Sequence, residues 1–144
     1  ARFGDPEAMN VLSLLKSDFI DICKGITGGN LKNTDVNFRN RASVCKYAVP
    51  KGYPNKPIKG EEIYVNSIKN PDGLFYGSVI LDEEKIVLAG SRAVAVVATE
   101  ESIFKAESVA EKEISSVGGP LFHRKDIGKK ALIQNRIDHM RDIR

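Results

Sequence analysis

The sequence predicts an α+β fold in which a helical N-terminal segment precedes a mostly antiparallel sheet with flanking helices. Three observations carry this. Apolar residues recur at helical spacing from Leu12 to Ile26, and beyond a polar stretch at residues 30–41 the period falls from about 3.6 to about 2. The strand-like runs that follow are joined by short turns, which favour antiparallel neighbours. Helical spacing then returns twice, over residues 99–117 and from Lys129 onward.

The first helix has three agreeing start signals: Asp5 as N-cap, Pro6 as first helical residue and Glu7 as a first-turn acid. Its apolar face comprises Leu12, Leu15, Phe19, Ile22, Cys23 and Ile26, and Lys16-Ser17-Asp18 allows a split into two helices with Ser17 capping the second. Gly25 and Gly28-Gly29-Asn30 end the run. Residues 30–41 are polar and turn-rich and read as a linker, which divides the chain into units 1–36 and 37–144.

Strands are expected at 42–49, 62–65, 74–81, 85–88 and 92–98, with Asn70-Pro71-Asp72-Gly73 as a turn. Thr99 is expected to cap a helix with Glu100 and Glu101 in its first turn and Ile103, Ala106, Ala110, Ile114 and Val117 on its apolar face. Gly118-Gly119-Pro120 stops it. Residues 121–128 read as a loop or short strand, and the last helix carries Ile133, Ile137 and Met140 on one side.

With 42% apolar and 28% charged residues, the composition is that of a globular chain rather than a disordered one. No apolar run approaches the roughly 18 residues of a membrane helix, so no membrane partner is expected. The N-terminus shows no signal-peptide pattern. Cys23 and Cys45 form neither a CxxC pair nor His/Cys spacing, which suits buried thiols in a reducing, cytoplasmic setting. Residues 124–144 hold seven lysines and arginines against three acids, a net +4, while the remainder holds fifteen against sixteen, a net −1. That basic end either faces phosphate or is simply solvated.

Phosphate-loop, dinucleotide, zinc-protease and nucleophile-elbow motifs are absent. His123 and His139 lie far apart and neither has a spaced partner. Arg2 and Asp5 stand beside a helix start, where free N–H groups and the dipole favour an anion. The loop 51–60, rich in glycine, proline and lysine around Tyr53, is either a rigid connector or a platform presenting Tyr53 to a ligand. Arg124-Lys125-Asp126-Ile127-Gly128 places two cations before a glycine and a helix start, the elements of a simple phosphate site.

Together these residues resemble the phosphoribosylamine–glycine ligases, also called glycinamide ribonucleotide synthetases, over the whole chain. Arg2-Phe3-Gly4-Asp5-Pro6-Glu7 followed by Leu14-Leu15-Lys16-Ser17-Asp18 is the most specific stretch. Val44-Cys45, Gly52-Tyr53-Pro54, Lys59-Gly60, Gly90-x-Arg92 and Arg124-x-Asp126-Ile127-Gly128 follow in the family's order. Lys51, Asn55 and Ser91 stand where the family often has glycine.

The resemblance implies that residues 1–36 are the helical end of an ATP-grasp domain and 37–144 an α+β domain with a partly barrel-like sheet. It implies a ligase of purine biosynthesis that phosphorylates glycine with ATP and joins it to phosphoribosylamine. It further implies that Mg²⁺ or Mn²⁺ binds with ATP on N-terminal lobes, and that no cofactor or metal is held by this chain. In the family's Glu-x-Asn-x-Arg run, Ala1 and Arg2 fill the last two positions, so the metal ligands fall outside the chain. Arg2 and Asp5 become the catalytic candidates, Arg2 for phosphoryl stabilisation, while Asp5 and Glu7 orient it or meet the amine. Gly52, Tyr53, Arg124 and Lys125 become candidates for the ribose phosphate. The expected partners are glycine, phosphoribosylamine and ATP, with no nucleic acid, and the chain alone is expected to be inert. Two rivals remain: a free-standing phosphate- or RNA-binding module, and a structural lid without ligand contacts. A modest net charge and the lack of an aromatic series weigh against the first.

Overall fold

The computed structural model describes residues 2–143. Ala1, which the family resemblance sets beside Arg2 at the end of the Glu-x-Asn-x-Arg run, lies outside them. Two short helices open the chain, α1 (Glu7–Leu12) and α2 (Phe19–Thr27). The strands are β1 (Ala42–Pro50), β2 (Glu62–Ile63), β3 (Leu74–Tyr76), β4 (Val79–Asp82), β5 (Lys85–Leu88) and β6 (Val94–Glu100). Helix α3 (Ile103–Ile114), strand β7 (Leu121–His123) and helix α4 (Lys130–Asp142) complete it.

All the strand pairing is antiparallel, as the short turns imply. One sheet has the order β3-β6-β1-β7 and the other β2-β5-β4. Both are open, so the partly barrel-like sheet is corrected to two sheets with free edges. The expected strand 74–81 is in fact two strands, one in each sheet. The break is at Gly77 and Ser78, whose N–H groups donate to the carbonyls of Ala93 and Arg92 at 2.8 and 2.7 Å before the chain leaves the first sheet.

Strand β1 has period-2 patterning with both faces covered. Val44, Lys46, Ala48 and Pro50 form one side and Cys45, Tyr47 and Val49 the other. Val44 and Ala98 meet Ala106 and Ala110 of α3, where the alanines leave room for the helix to lie close. Ala48, Val94, Val96 and Ile114 pack with Ile63 and Leu88, joining both sheets to α3. On the opposite face Cys45, Ala95 and Val97 pack against Met9 of α1 and Tyr47. Cys23 is half-buried and Cys45 buried, both as free thiols.

Three capping expectations are corrected. Pro6, not Asp5, occupies the N-cap of α1 and no side chain caps it. Asp18 caps α2 by accepting from the N–H groups of Ile20 and Asp21, while Ser17 Oγ accepts from Asn37 N at 2.8 Å. Ser102 caps α3, because Thr99 and Glu100 stay in β6 paired with Ser43 and Ala42. In each case a residue with cap chemistry found a competing partner in the tertiary structure. Among the described residues no helix is long and apolar enough to cross a membrane.

Segment 30–41 folds back on the α1–α2 connection, with Arg39 N donating to Leu14 O at 2.8 Å and Lys16 N to Asn37 O at 2.9 Å. The buried residues of the two larger core clusters lie within residues 44–114, and the side chains packed against them come from residues 65–127. We therefore expect that deleting residues 1–36 leaves a cooperative thermal transition. A molten or aggregated product would show that the N-terminal helices belong to the same folding unit.

Candidate functional site

An apolar cavity of about 580 Å³ opens at the α1 side of the four-stranded sheet. Its walls include Cys45, Tyr47, Tyr53, Phe122 and Ile127, and its polar edge carries Asn10, Arg92 and Arg124. The volume falls within the ~300–1,000 Å³ of ordinary small-molecule pockets. Asn10 Oδ1 is buried there without a hydrogen-bond partner.

The cavity exists because β7 pairs only with Ala48, Val49 and Pro50, leaving the first half of β1 uncovered on that edge. The chain after β7 crosses this gap, and a buried charge network holds it. Lys46 is 1% exposed. Its Nζ donates to Glu107 Oε1 at 2.8 Å, to Glu111 Oε2, and to the Lys125 carbonyl at 3.4 Å. Glu107 Oε2 also accepts from Lys129 Nζ at 2.8 Å, and Glu111 Oε1 lies 3.1 Å from His123 Nε2. Gly128 completes the closure in the left-handed region, at φ +79°, where a Cβ would come 2.9 Å from Glu107 Cγ.

Burial pushes the Glu111 carboxyl up, but the Lys46 ammonium and the His123 ring outweigh it and hold the group at about 2, down from 4.5. Glu107 is lowered in the same way: burial opposes, and Lys129 and Lys46 prevail. Across the sheet, burial and then the Asp5 charge push the Cys45 thiol up to about 12, so it remains protonated and a poor nucleophile.

The sequence-derived candidates divide. Tyr53 and Arg124 both line this cavity. Arg124 meets it with its fork engaged by Asp126, Nε to Oδ1 at 3.0 Å and Nη2 to Oδ2. That carboxylate raises the Arg124 pKa and is itself lowered by the guanidinium. Gly52 turns the loop at φ +85°, with its carbonyl accepting from Lys56 N at 2.8 Å. Lys125 is exposed and contributes its backbone carbonyl to Lys46. Arg2 is exposed and donates to the Phe3 carbonyl at 2.9 Å. Glu7 is exposed in the first turn of α1, which at six residues is too short for an anion site of its own. Asp5 does not cap α1: its carboxylate is bound by Tyr47 and Arg92.

Sequence reasoning missed Lys46, Tyr47, Glu107 and Glu111, and took Arg92 only as part of a pattern. The signal was present in part. Lys46 shares the Val44/Ala48 face of β1, and Glu107 and Glu111 are one helical turn apart.

Fold and cavity define a class: an antiparallel α+β domain with an arginine-edged apolar cavity at an open sheet edge. The sequence model of the family described as "Phosphoribosylglycinamide synthetase, C domain" matches residues 43–130. The phosphoribosylamine–glycine ligase of Methanocaldococcus jannaschii is 50% identical over 147 residues, covering 100% of this chain and 33% of that protein. The ligase of Methanosarcina barkeri is 50% identical over 144 residues, with the same two coverages of 100% and 33%. A crystal structure of phosphoribosylamine–glycine ligase from Thermotoga maritima superposes with a TM-score of 0.70 at 26% identity, over 88% of this chain and 32% of that one. The chain belongs to the phosphoribosylamine–glycine ligase family and matches its C domain. It spans about a third of the length of these relatives.

The lowered carboxyl fixes a pH dependence. A group whose folded pKa lies below its unfolded value contributes stability that is complete above the unfolded value and lost as pH falls through the folded one. For Glu111 that window runs from 4.5 down to about 2. Acid unfolding followed by circular dichroism should therefore steepen across it, and Glu111→Gln should flatten the slope. An identical slope in the variant would contradict the depressed carboxyl.

Proposed function

We propose that this chain is the C-terminal part of an ATP-dependent ligase that joins glycine to 5-phosphoribosylamine in purine biosynthesis, forming glycinamide ribonucleotide, ADP and phosphate. The observation that carries this is the likeness to named ligases at 50% identity along the entire chain. A free-standing RNA-binding module has no comparable support. The reading includes an ATP-grasp nucleotide site on N-terminal lobes and a cytoplasmic setting.

Among the described residues no group of three or more His, Cys, Asp or Glu is placed to hold a metal ion. No step is assigned to a metal on these residues. In this reading Mg²⁺ or Mn²⁺ enters with ATP on the N-terminal lobes.

The chain's own contribution is charge and shape. Activating glycine transfers a phosphoryl group to its carboxylate, and negative charge grows on the transferred oxygens. A guanidinium at that position lowers the barrier by meeting the charge as it develops. Arg2 is assigned that role, with Glu7 beside it. Tyr53 and Arg124 are assigned the ribose phosphate at the cavity edge, with Gly52 and Lys125 framing the loops. A phosphate arriving there exchanges with Asp126 for the Arg124 fork, a like-for-like swap of one bidentate anion for another.

Two outcomes follow. The purified chain should show no binding of Mg·ATP by calorimetric titration at micromolar concentration, and stoichiometric binding would contradict the division of labour. In the complete ligase, Arg124→Ala should raise the Michaelis constant for phosphoribosylamine by roughly 10- to 150-fold, the loss of one charged hydrogen bond. The constants for ATP and glycine should stay nearly unchanged, and Arg124→Lys should rescue only partly, because a point charge lacks the fork. If all three constants moved together, Arg124 would be structural.

A further inference from the structure

The loop that carries Arg2 meets the C-terminal sheet through Asp5. Arg92 Nη2 lies 2.9 Å from Asp5 Oδ2, and Arg92 Nη1 donates to the Asp5 carbonyl at 3.1 Å. Tyr47 OH donates to the other carboxylate oxygen, Oδ1, at 2.8 Å. The Arg92 guanidinium also lies over the Tyr47 ring, with its carbon 5.1 Å from the centroid. Both carboxylate oxygens and the main-chain carbonyl of Asp5 are thus engaged by Tyr47 of β1 and by Arg92, two residues before β6. The ring face, the hydrogen bond to the carbonyl and the ion pair to Oδ2 together hold the guanidinium in place.

The same contacts contribute little to stability. Arg92 and Asp5 side chains are 36% and 42% exposed. Ion pairs this wet are screened and their net worth is small. What the arrangement supplies is position. Asp5 stands three residues from Arg2, so anchoring it limits where the Arg2 guanidinium can reach.

We infer that Arg92, steadied by Tyr47, is a positioning residue for the Arg2–Asp5 loop, and that Asp5 is the anchor through which the C-terminal sheet places Arg2. The inference rests on the ligase reading for its catalytic consequence, while the clamp itself stands on geometry alone. Asp5 then has no contact with substrate, which revises the catalytic role expected of it.

The test has two arms. In the complete ligase, Arg92→Ala should lower kcat by about 10- to 100-fold, the scale of a displaced catalytic group, with little change in the three Michaelis constants. Thermal stability should move little, and Arg92→Lys should recover only part of the rate. Asp5→Asn should lower kcat similarly, and the double variant should be no worse than Arg92→Ala alone, because both changes break one clamp. Multiplying losses, or an unchanged kcat in Arg92→Ala, would overturn the inference. In the 144-residue chain, Cys45 reports on the clamp directly, being 5% exposed beneath Met9 and Tyr47. With Cys23→Ser as background, Arg92→Ala and the milder Tyr47→Phe should each speed labelling of Cys45 by a thiol-reactive disulfide severalfold without denaturant. Rates are compared per thiolate, because the Arg92 charge itself lowers the thiol pKa. Equal labelling rates would overturn the clamp whatever the reaction. A wild-type ligase without ADP formation dependent on glycine and phosphoribosylamine would instead remove the ligase reading and leave the labelling result to stand.

Discussion

The Lys46 ammonium, with a fully buried side chain, is the interaction on which the rest of this structure depends. A charge in that position costs several kcal/mol unless paired, and breaking such a pair by removing one partner costs about 3–5 kcal/mol. Glu107 and Glu111 supply the pairing from successive turns of α3, so the helix cannot slide along β1 without stranding a charge. The carboxylates in turn need His123, the last residue of β7, and Lys129 of the segment that follows it. One strand, one helix and one loop are therefore fixed by a single set of charges. Packing by Ala106 and Ala110 brings α3 close enough for that set to form.

A second electrostatic anchor lies on the other face of the same sheet, where Arg92 and Tyr47 take Asp5. The apolar cavity opens at the α1 side, bordered by residues of both the N-terminal segment and the segment that follows β7. Its lining is mostly aromatic and aliphatic, yet polar contacts place the segments that form it. The buried network resists solvent and salt. The Asp5 clamp is half in water and open to both. That contrast suits a rigid loop carrying Arg124 and a loop carrying Arg2 whose position is set with little effect on overall stability.

Much of the fold was legible in the sequence because periodicity and turn chemistry are local. The change from helical to strand period located β1, β5, β6 and α3 within a few residues, and short turns gave the antiparallel pairing. The sheet closure was not legible, since whether β3 and β4 join one sheet or two depends on where the Gly77–Ser78 backbone finds its partners. Caps failed for a related reason: Asp5, Ser17 and Thr99 each had cap chemistry, and distant partners or strand pairing claimed them. In the candidate site, Tyr53 and Arg124 were named from motif order and share a cavity. Lys46 escaped because a lysine in a strand reads as solvent-facing until its partners on α3 are known. Arg92 was seen as a marker, and its work became visible only when the chain brought Asp5 across 87 residues of sequence to meet it.

Hydrogen exchange over residues 123–129 tests most directly whether the Lys46 network fixes that loop. With the network intact, the hydrogen-bonded amides of this segment, such as Lys129 N donating to the Asp126 carbonyl at 3.0 Å, should exchange slowly, since the loop can leave only by uncovering buried charges. In Lys46→Met they should lose that protection while β1 and β6 keep theirs. Fast exchange in the wild-type chain, or equal protection in the two proteins, would contradict the account.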